Sequence, residues 1–591
     1  MPQIRVAYFS MEIGLDSAMP TYAGGLGVLA GDMLRAAADL DVPVAGVTLL
    51  HRQGYFLQRL DPEGNQTELP ATWRPEDRLE PLEPRATVMI EGRPVRIRAW
   101  RHMLRGRSGD GVPVYFLDTQ LPENGAWDRS LTDHLYGGDD RYRLCQEAVL
   151  GLGGAEMLRA LGHVNVWTYH MNEGHSALLA LGLLEERMGG RGLSAAGEAD
   201  LAAVRERCVF TTHTPVPAGI DRFPLVLVAS VLGRDRAAAL ETLGCCTTEP
   251  PRLLNMTFLA LFCSRYINGV SMRHDEVSQG MFPHYPINAI TNGVHATTWT
   301  APSFQALYDR HVPEWRHDNL YLRYAIDLPL EEVRAAHREA KAALLAEVKR
   351  RTGRGFDPER LTLGFARRAT GYKRADLIFA DLERLRRIAR VAGRLQVVYA
   401  GKAHPGDEGG KDVIRRVFKA AAALGDEIPV VYLEEYDMDL ARLLCAGSDV
   451  WLNTPLKPQE ASGTSGMKAA LNGVPSLSVL DGWWIEGHVE AVTGWSIGES
   501  WEPESDPARE IAAFYDKLER AVIPAFYGPP ELFDRMRRAC IALNGSFFNA
   551  QRMLLQYVAN AYSITTRAAA PAGMKKGSRP LPRGVTPEQV K

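Results

Sequence analysis

The chain has 591 residues and a mass of 65.3 kDa, several times the size of an ordinary domain, so at least two domains with substantial cores are expected. Its 46% hydrophobic and 24% charged residues exclude wholesale disorder, collagen-like repeats and a membrane bundle. Lys plus Arg is 68 and Asp plus Glu is 71, a formal charge of −3 that gives no electrostatic basis for a nucleic-acid partner and leaves room for local basic pockets that take small anions.

In chain order, the N-terminal segment MPQIRVAYFSMEIGL carries Arg5 and Glu12 where a secretory peptide needs an unbroken apolar stretch, and IRVAYF reads as a buried strand. Apolar strand-like runs then alternate with amphipathic helical stretches: VPVAGVTLL, VPVYFLDT, VNVWTYH, CVFTTHT, and later LTLGFARR, LQVVYAGK, PVVYLEE and SDVWLNTP. This alternation predicts an α/β fold of parallel sheets covered by helices. The strands fall into two sets separated by a charge-rich helical stretch at 318–355. The expected layout is a doubly wound N-terminal domain over 1–317, a helical junction over 318–355 and a doubly wound C-terminal domain over 356–566, whose last helices pack back on the first domain. A tail at 567–591, rich in Ala, Pro, Gly and Lys, is expected to be disordered. Two such sheets face to face place a ligand site at the carboxyl ends of the strands, between the domains. No uncharged apolar run approaches the roughly 18 residues of a bilayer span, so no membrane partner and a cytoplasmic location are expected. The seven cysteines include no CxxC pair and no zinc spacing, and read as reduced thiols.

Four motifs point to chemistry. In YAGGLGVLAGDMLRAAADL, Gly24, Gly25 and Gly27 precede a helical stretch whose N-terminal amides suit an anion, although the spacing is not G-x-G-x-x-G. In GFARRATGYKRADL, Arg367, Arg368, Lys373 and Arg374 crowd the end of a strand, which suits a doubly charged anion as well as it suits a solvated basic face. In EASGTSGMKAALNG, small residues from Ala461 to Gly466 lead into a helix expected to begin near Met467, with Lys468 in its first turn. A cation there opposes the helix dipole unless its charge is lost in a Schiff base or matched by a bound phosphate; the alternative is an exposed lysine reaching to water. Finally, TTHTPVPAG sets His213 at the end of a strand facing the same crevice. HMNEGHSA lacks the H-E-x-x-H order and reads as a hydrogen-bonded cluster, so no metal is expected.

Together these stretches resemble the α-glucan phosphorylase family, in particular its short prokaryotic members, over most of residues 4–560. The most specific element is EASGTSGMK, similar to the family segment whose lysine carries pyridoxal 5′-phosphate. RxxxYKR is present as Arg368, Tyr372, Lys373 and Arg374, and ITNGV with Asn292, GKAHPG from Gly401 and YLEEY ending at Tyr436 follow in the family order. The resemblance implies two Rossmann-like domains of glycosyltransferase-B type, with Lys468 as the Schiff-base lysine. It further implies that Arg368 binds substrate phosphate and that Lys373, Arg367, Thr464, Ser465 and Gly24 surround the cofactor. Gly25 and Leu26 would belong to the glycine loop, with Glu12 close to the active centre. Glu460, Ser462 and Gly463 would bind glucosyl hydroxyls, and His213 and Asn292 would reach the 6-hydroxyl. Tyr372 and Tyr436 join the substrate set, and Asp139, in a shortened gate loop, is a further site residue.

The implied reaction is reversible phosphorolysis of (1→4)-α-D-glucan by orthophosphate, with retention, giving α-D-glucose 1-phosphate. The cofactor phosphate then serves as proton reservoir where glycosidases use two carboxylates. Arg367 stands where long phosphorylases have Lys, and Gly466 where they have Asn. The chain begins directly at its first strand, so control by an N-terminal phosphorylated extension is not expected; a homo-oligomer is. Two alternatives are a nucleotide-sugar-dependent glucan synthase of similar architecture, which has no use for Lys468, and a non-catalytic glucan binder, which has no use for the intact cationic positions.

Overall fold

The computed structural model describes residues 4–109, 111–216, 219–247, 250–499 and 504–562. The strands of the first half are β1 (Val6–Ser10), β2 (Val44–Leu49), the hairpin β3 (Leu57–Leu60) and β4 (Gln66–Leu69), β5 (Glu80–Ile90), β6 (Arg93–Arg105) and β7 (Gly111–Asp118). They continue with β8 (Thr168–Asn172), β9 (Cys208–Thr211), the short pair β10 (Arg222–Pro224) and β11 (Leu253–Asn255), β12 (Tyr266–Gly269) and β13 (Asn288–Ala289). The second half supplies β14 (Leu361–Ala366), β15 (Leu395–Ala400), β16 (Val430–Leu433), β17 (Val450–Asn453), β18 (Ser476–Val479) and β19 (Gly494–Ile497).

Nine of these form one sheet in the order β13-β12-β9-β8-β1-β2-β7-β6-β5, and six form another in the order β16-β15-β14-β17-β18-β19. The second sheet is parallel throughout. The first is parallel except at one end, where β5, β6 and β7 pair antiparallel. The fold is therefore α/β with two Rossmann-like sheets, as the sequence predicts, and the antiparallel edge is an addition to that reading. Its strands carry charged residues on one face, as in RPVRIRAW, and so lack the continuous apolar signature of strands buried on both faces. The run VNVWTYH is shorter as a strand than as a string, because Val164 and Trp167 are exposed and pairing starts at Thr168.

Each sheet is wound outward from a central strand. β1 has β2 on one side and β8 on the other, and β14 has β15 and β17. Chains leaving β1 and β14 at their carboxyl ends therefore emerge at the two topological switch points, where a crevice opens. Apolar clusters cover both faces of each sheet. A further cluster joins the two halves, uniting Val28, Val294, Trp299, Tyr308 and Trp315 with Met467, Leu471, Trp483 and Phe548. The helix Ala550–Tyr557 returns to the first sheet, where Met553, Leu554 and Tyr557 pack with Val6 and Tyr8.

Within 318–355 the chain forms a 3-10 helix, Asn319–Asp327, and the long helix Leu330–Thr352. The second is tied to the second sheet by one buried carboxylate. Asp449 accepts from Lys341 Nζ at 2.6 Å, His337 Nε2 at 2.9 Å, Arg537 Nη2 at 3.0 Å and the amide of Thr362 at 2.8 Å. Burial works against its charge, but these cations outweigh it and hold the carboxyl far below the usual range. A carboxyl depressed in the folded state contributes stability above its unfolded pKa of about 4 and loses it as pH falls below that value. Asp449→Asn should cost about 3–5 kcal/mol in urea unfolding at pH 7, because it strands buried cations, and should blunt the acid dependence of stability. An unchanged midpoint would show that the network holds nothing together.

Candidate functional site

The site is assembled from turns that follow strand ends. Beyond β1, Glu12 is buried, and its Oε2 accepts from the amides of Ala23 at 2.6 Å and Gly24 at 3.2 Å, while Oε1 accepts from the Tyr136 hydroxyl at 2.9 Å. Burial raises its pKa against these bonds and the field of Arg368. The helix that follows starts at Gly25, so Gly25 and Gly27 lie inside its first turn instead of ahead of it. The amides of Ala23 and Gly24 are taken by Glu12; those of Gly25 and Leu26 have no partner within the helix and face outward as donors.

Beyond β14 come the cations. Arg367 Nη2 meets Glu460 Oε2 at 2.5 Å, Lys373 Nζ bonds to the same oxygen, and the Lys373 ammonium lies 4.4 Å from the centre of the Tyr372 ring. Burial opposes the Glu460 charge, yet Arg367 and Lys373 bring its pKa down to about 2. Arg367 keeps Nε and Nη1 buried without a hydrogen-bond partner. Arg368 differs: it retains exposed surface and makes no hydrogen bond or ion pair among the described residues. Desolvation works against this cation, but the groups around it, Tyr55, Glu12, Tyr136 and Tyr372, hold its pKa up. A Cβ placed on Gly24 would come 3.7 Å from Arg368 Nη2, so the glycine loop and this arginine face each other across the crevice. The fourth expected cation does not join them. Arg374, in a left-handed turn, donates to the carbonyls of Thr454 and Pro455 at 2.8 Å and pairs with Glu510, which makes it a brace for the loop.

The lysine helix spans Ser465–Ala470, two residues earlier than the sequence predicts, with Thr464 just ahead of it making no side-chain cap. Lys468 is buried, which removes the alternative of a side chain reaching to water. Its Nζ sits 3.7 Å from the centre of the Trp299 ring, supplied by the other half of the chain. Burial lowers its pKa, with Asp32 and Cys445 working the other way. Asp32 accepts from Trp299 Nε1 at 2.8 Å and so fixes the indole. Ahead of the helix, Ser462 Oγ is buried without a partner, Gly463 has the positive φ of 76° that its turn requires, and Ser465 Oγ accepts from Trp451 Nε1 at 3.0 Å.

On the glucan side, His213 Nε2 contacts Asn172 Oδ1 at 2.7 Å, its amide donates to Glu173 Oε2 at 2.7 Å, and burial lowers its ring pKa to about 3, so the ring is neutral. Asn292 has a buried, unpartnered Oδ1. The HMNEGHSA segment is a hydrogen-bonded cluster: His170 meets the Tyr562 hydroxyl and Thr211 Oγ1, and Glu173 accepts from Thr214. Tyr436 packs in apolar clusters beside the lysine helix. Asp139 caps the helix Asp140–Ala148 by accepting from the Tyr142 amide at 2.9 Å. Tyr55, Tyr136, His404, Trp299 and Asp32 are additional residues of the crevice. His404 lies within the field of Arg368. His404 lies in the GKAHPG string, Asp32 in the glycine-turn motif and Tyr136 in the gate-loop stretch, but none of the three stands out there as a site residue; Tyr55 and Trp299 come from segments with no pattern of their own.

Comparison with known proteins gives the family. Residues 235–494 match the family model described as carbohydrate phosphorylase. The chain is 38% identical over 596 residues to a maltodextrin phosphorylase of Thermococcus litoralis, covering 94% of this chain and 70% of that one. It is also 38% identical over 624 residues to a glycogen phosphorylase of Mycobacterium tuberculosis, with the same coverage, and 36% identical over 608 residues to one of Aquifex aeolicus, of which it covers 86%. The chain belongs to the carbohydrate phosphorylase family. No helix among the described residues is long and apolar enough to cross a membrane.

The glycine turn gives a discriminating test. A Cβ on Gly27 would lie 2.6 Å from Glu12 Oε2 and 2.7 Å from Tyr22 Cβ, whereas one on Gly25 meets nothing within 4 Å. Gly27→Ala should lower the melting temperature and reduce turnover at least tenfold by displacing Glu12. Gly25→Ala should leave the melting temperature within about a degree. Equal melting of the two variants would contradict this packing.

Proposed function

We propose that the protein catalyses reversible phosphorolysis of α-1,4-linked glucan, releasing the terminal glucose as α-D-glucose 1-phosphate with retention and shortening the chain by one unit. The observation that carries this reading is the Arg368 guanidinium, set at a strand switch point with no anionic partner beside two cations that already share one carboxylate. A guanidinium so placed is a ready site for phosphate oxygens.

The residues also fit pyridoxal 5′-phosphate. Lys468 would hold it, since burial favours the uncharged amine needed to attach an aldehyde, and Arg367, with two unpartnered nitrogens, Lys373, Thr464, Ser465 and Gly24 would surround its phosphate. When bound, the group supplies a phosphate that can give and take a proton near neutral pH.

The chain's own residues do the rest. Arg368 binds orthophosphate and, with Lys373 and Arg367, offsets the repulsion between neighbouring anions while stabilising charge that develops in the transition state. Their movement onto phosphate frees the Glu460 carboxylate to accept sugar hydroxyls together with Ser462 and Gly463. Neutral His213 and the unpartnered Asn292 Oδ1 bind the 6-hydroxyl without introducing charge. Glu12 holds the glycine loop closed, so that Gly25 and Leu26 present outward amides, and Tyr372 and Tyr436 complete the walls. The fit of His213, Asn292 and Glu460 to a sugar, together with the names of the relatives, supports a glucan as the partner.

Purified protein supplied with pyridoxal phosphate should convert maltoheptaose and orthophosphate into glucose 1-phosphate, and Arg368→Gln should lower kcat/KM for phosphate by 10²–10³, about 2.7–4 kcal/mol of transition-state stabilisation. Turnover driven by a nucleotide-glucose donor in place of phosphate would overturn the proposal, as would an Arg368→Gln enzyme with unaltered phosphate dependence.

A further inference from the structure

A second cationic pocket lies away from the crevice. It encloses about 330 Å³, and four arginines line it, Arg35, Arg105, Arg107 and Arg316, with Thr297 and with Thr298, whose hydroxyl is bonded to His295 Nδ1 at 2.7 Å. Its size is that of a small-molecule site. Two nearby carboxylates are already committed: Asp39 is bonded to His295 Nε2 at 2.9 Å, and Asp309, close to Arg107, accepts from Arg316 and from Trp315 Nε1 at 2.8 Å; Asp32 and Asp16 act on Arg35 alone among the four arginines. Arg35 donates to the carbonyl of Leu15 and leaves Nη1 buried without a partner. Arg105 and Arg107, at and just beyond the end of β6, make no side-chain hydrogen bond or ion pair among the described residues. The pocket thus holds an excess of positive charge and two forked donors with nothing to grip, the composition that recognises phosphate oxygens.

We propose that this pocket is a second anion site, separate from the one at Arg368, that takes a small phosphate-bearing molecule through Arg105 and Arg107. Its walls are continuous with the active centre. The helix Gly25–Asp39 starts at the glycine loop and ends in the pocket, and the short helix Ala296–Trp299 runs from the pocket to the indole under Lys468. Activity alone therefore cannot separate the two sites, and the test is a binding count.

Equilibrium dialysis of the holoenzyme with radiolabelled orthophosphate at low ionic strength should give two equivalents per chain. Arg368→Gln should retain one, and the double variant Arg105→Gln/Arg107→Gln should retain one. Two equivalents in the double variant overturn the pocket site, as does a single wild-type equivalent that Arg368→Gln removes. A single wild-type equivalent lost only in the double variant would keep the pocket and remove the role proposed for Arg368. If the double variant melts early, Arg107→Gln alone, at an exposed side chain, should weaken the second class of binding about tenfold; unchanged affinity there contradicts the proposal.

Discussion

The rest of the structure depends on an imbalance of charge at the carboxyl end of β14. Arg367, Arg368 and Lys373 converge there, and one carboxylate, Glu460, answers two of them. Arg367 and Lys373 are enclosed and paired, as buried cations must be, whereas Arg368 is exposed to the crevice with no ion-pair partner among the described residues. A glycosidase places two carboxylates about the scissile bond and needs no such surplus. Here the surplus falls on Arg368, and the chain belongs to the carbohydrate phosphorylase family.

The fold supplies the means of holding that surplus in place. Arg367 and Arg368 leave a central strand whose neighbours fix its direction on both sides, while Glu12 leaves the equivalent strand of the other sheet. The two halves meet over Trp299 and Lys468, and again at the hairpin β3–β4. There Gln58 Nε2 donates to the carbonyl of Gly401 at 2.9 Å, Gln66 Nε2 to that of Ala403 at 2.9 Å, and the Gln58 amide to Glu435 at 2.5 Å. These cross-links keep the Arg368 side of the crevice opposite the glycine loop. Arg374 and Glu510 brace the turn from behind. The precision of the site thus comes from buried pairs outside it.

The central strands were legible because β1, β14 and β15 are buried on both faces and read as mostly apolar runs, interrupted only by Ser10, Thr362 and Gln396. β5 and β6 were not, since one of their faces is charged and the pattern resembles exposed chain. The cationic motif and Lys468 were visible as residue types in sequence, but their partners were not. Glu460 lies far along the chain from Arg367, and nothing in the sequence marks Trp299 as the ring under Lys468. Arg374 shows the limit of local reading: charge density alone cannot tell a ligand cation from a brace, because the difference is whether a distant acid such as Glu510 reaches it. Asp139 is the opposite case, a polar residue in a loop whose side chain is spent on a helix cap.

Lys468 is where burial and lowered basicity meet, against the Trp299 ring. Borohydride reduction of the purified, cofactor-supplemented protein, followed by peptide mass spectrometry, reads that point directly. The account predicts a reduced phosphopyridoxyl group on Lys468 and on no other lysine. An unmodified Lys468 would contradict it.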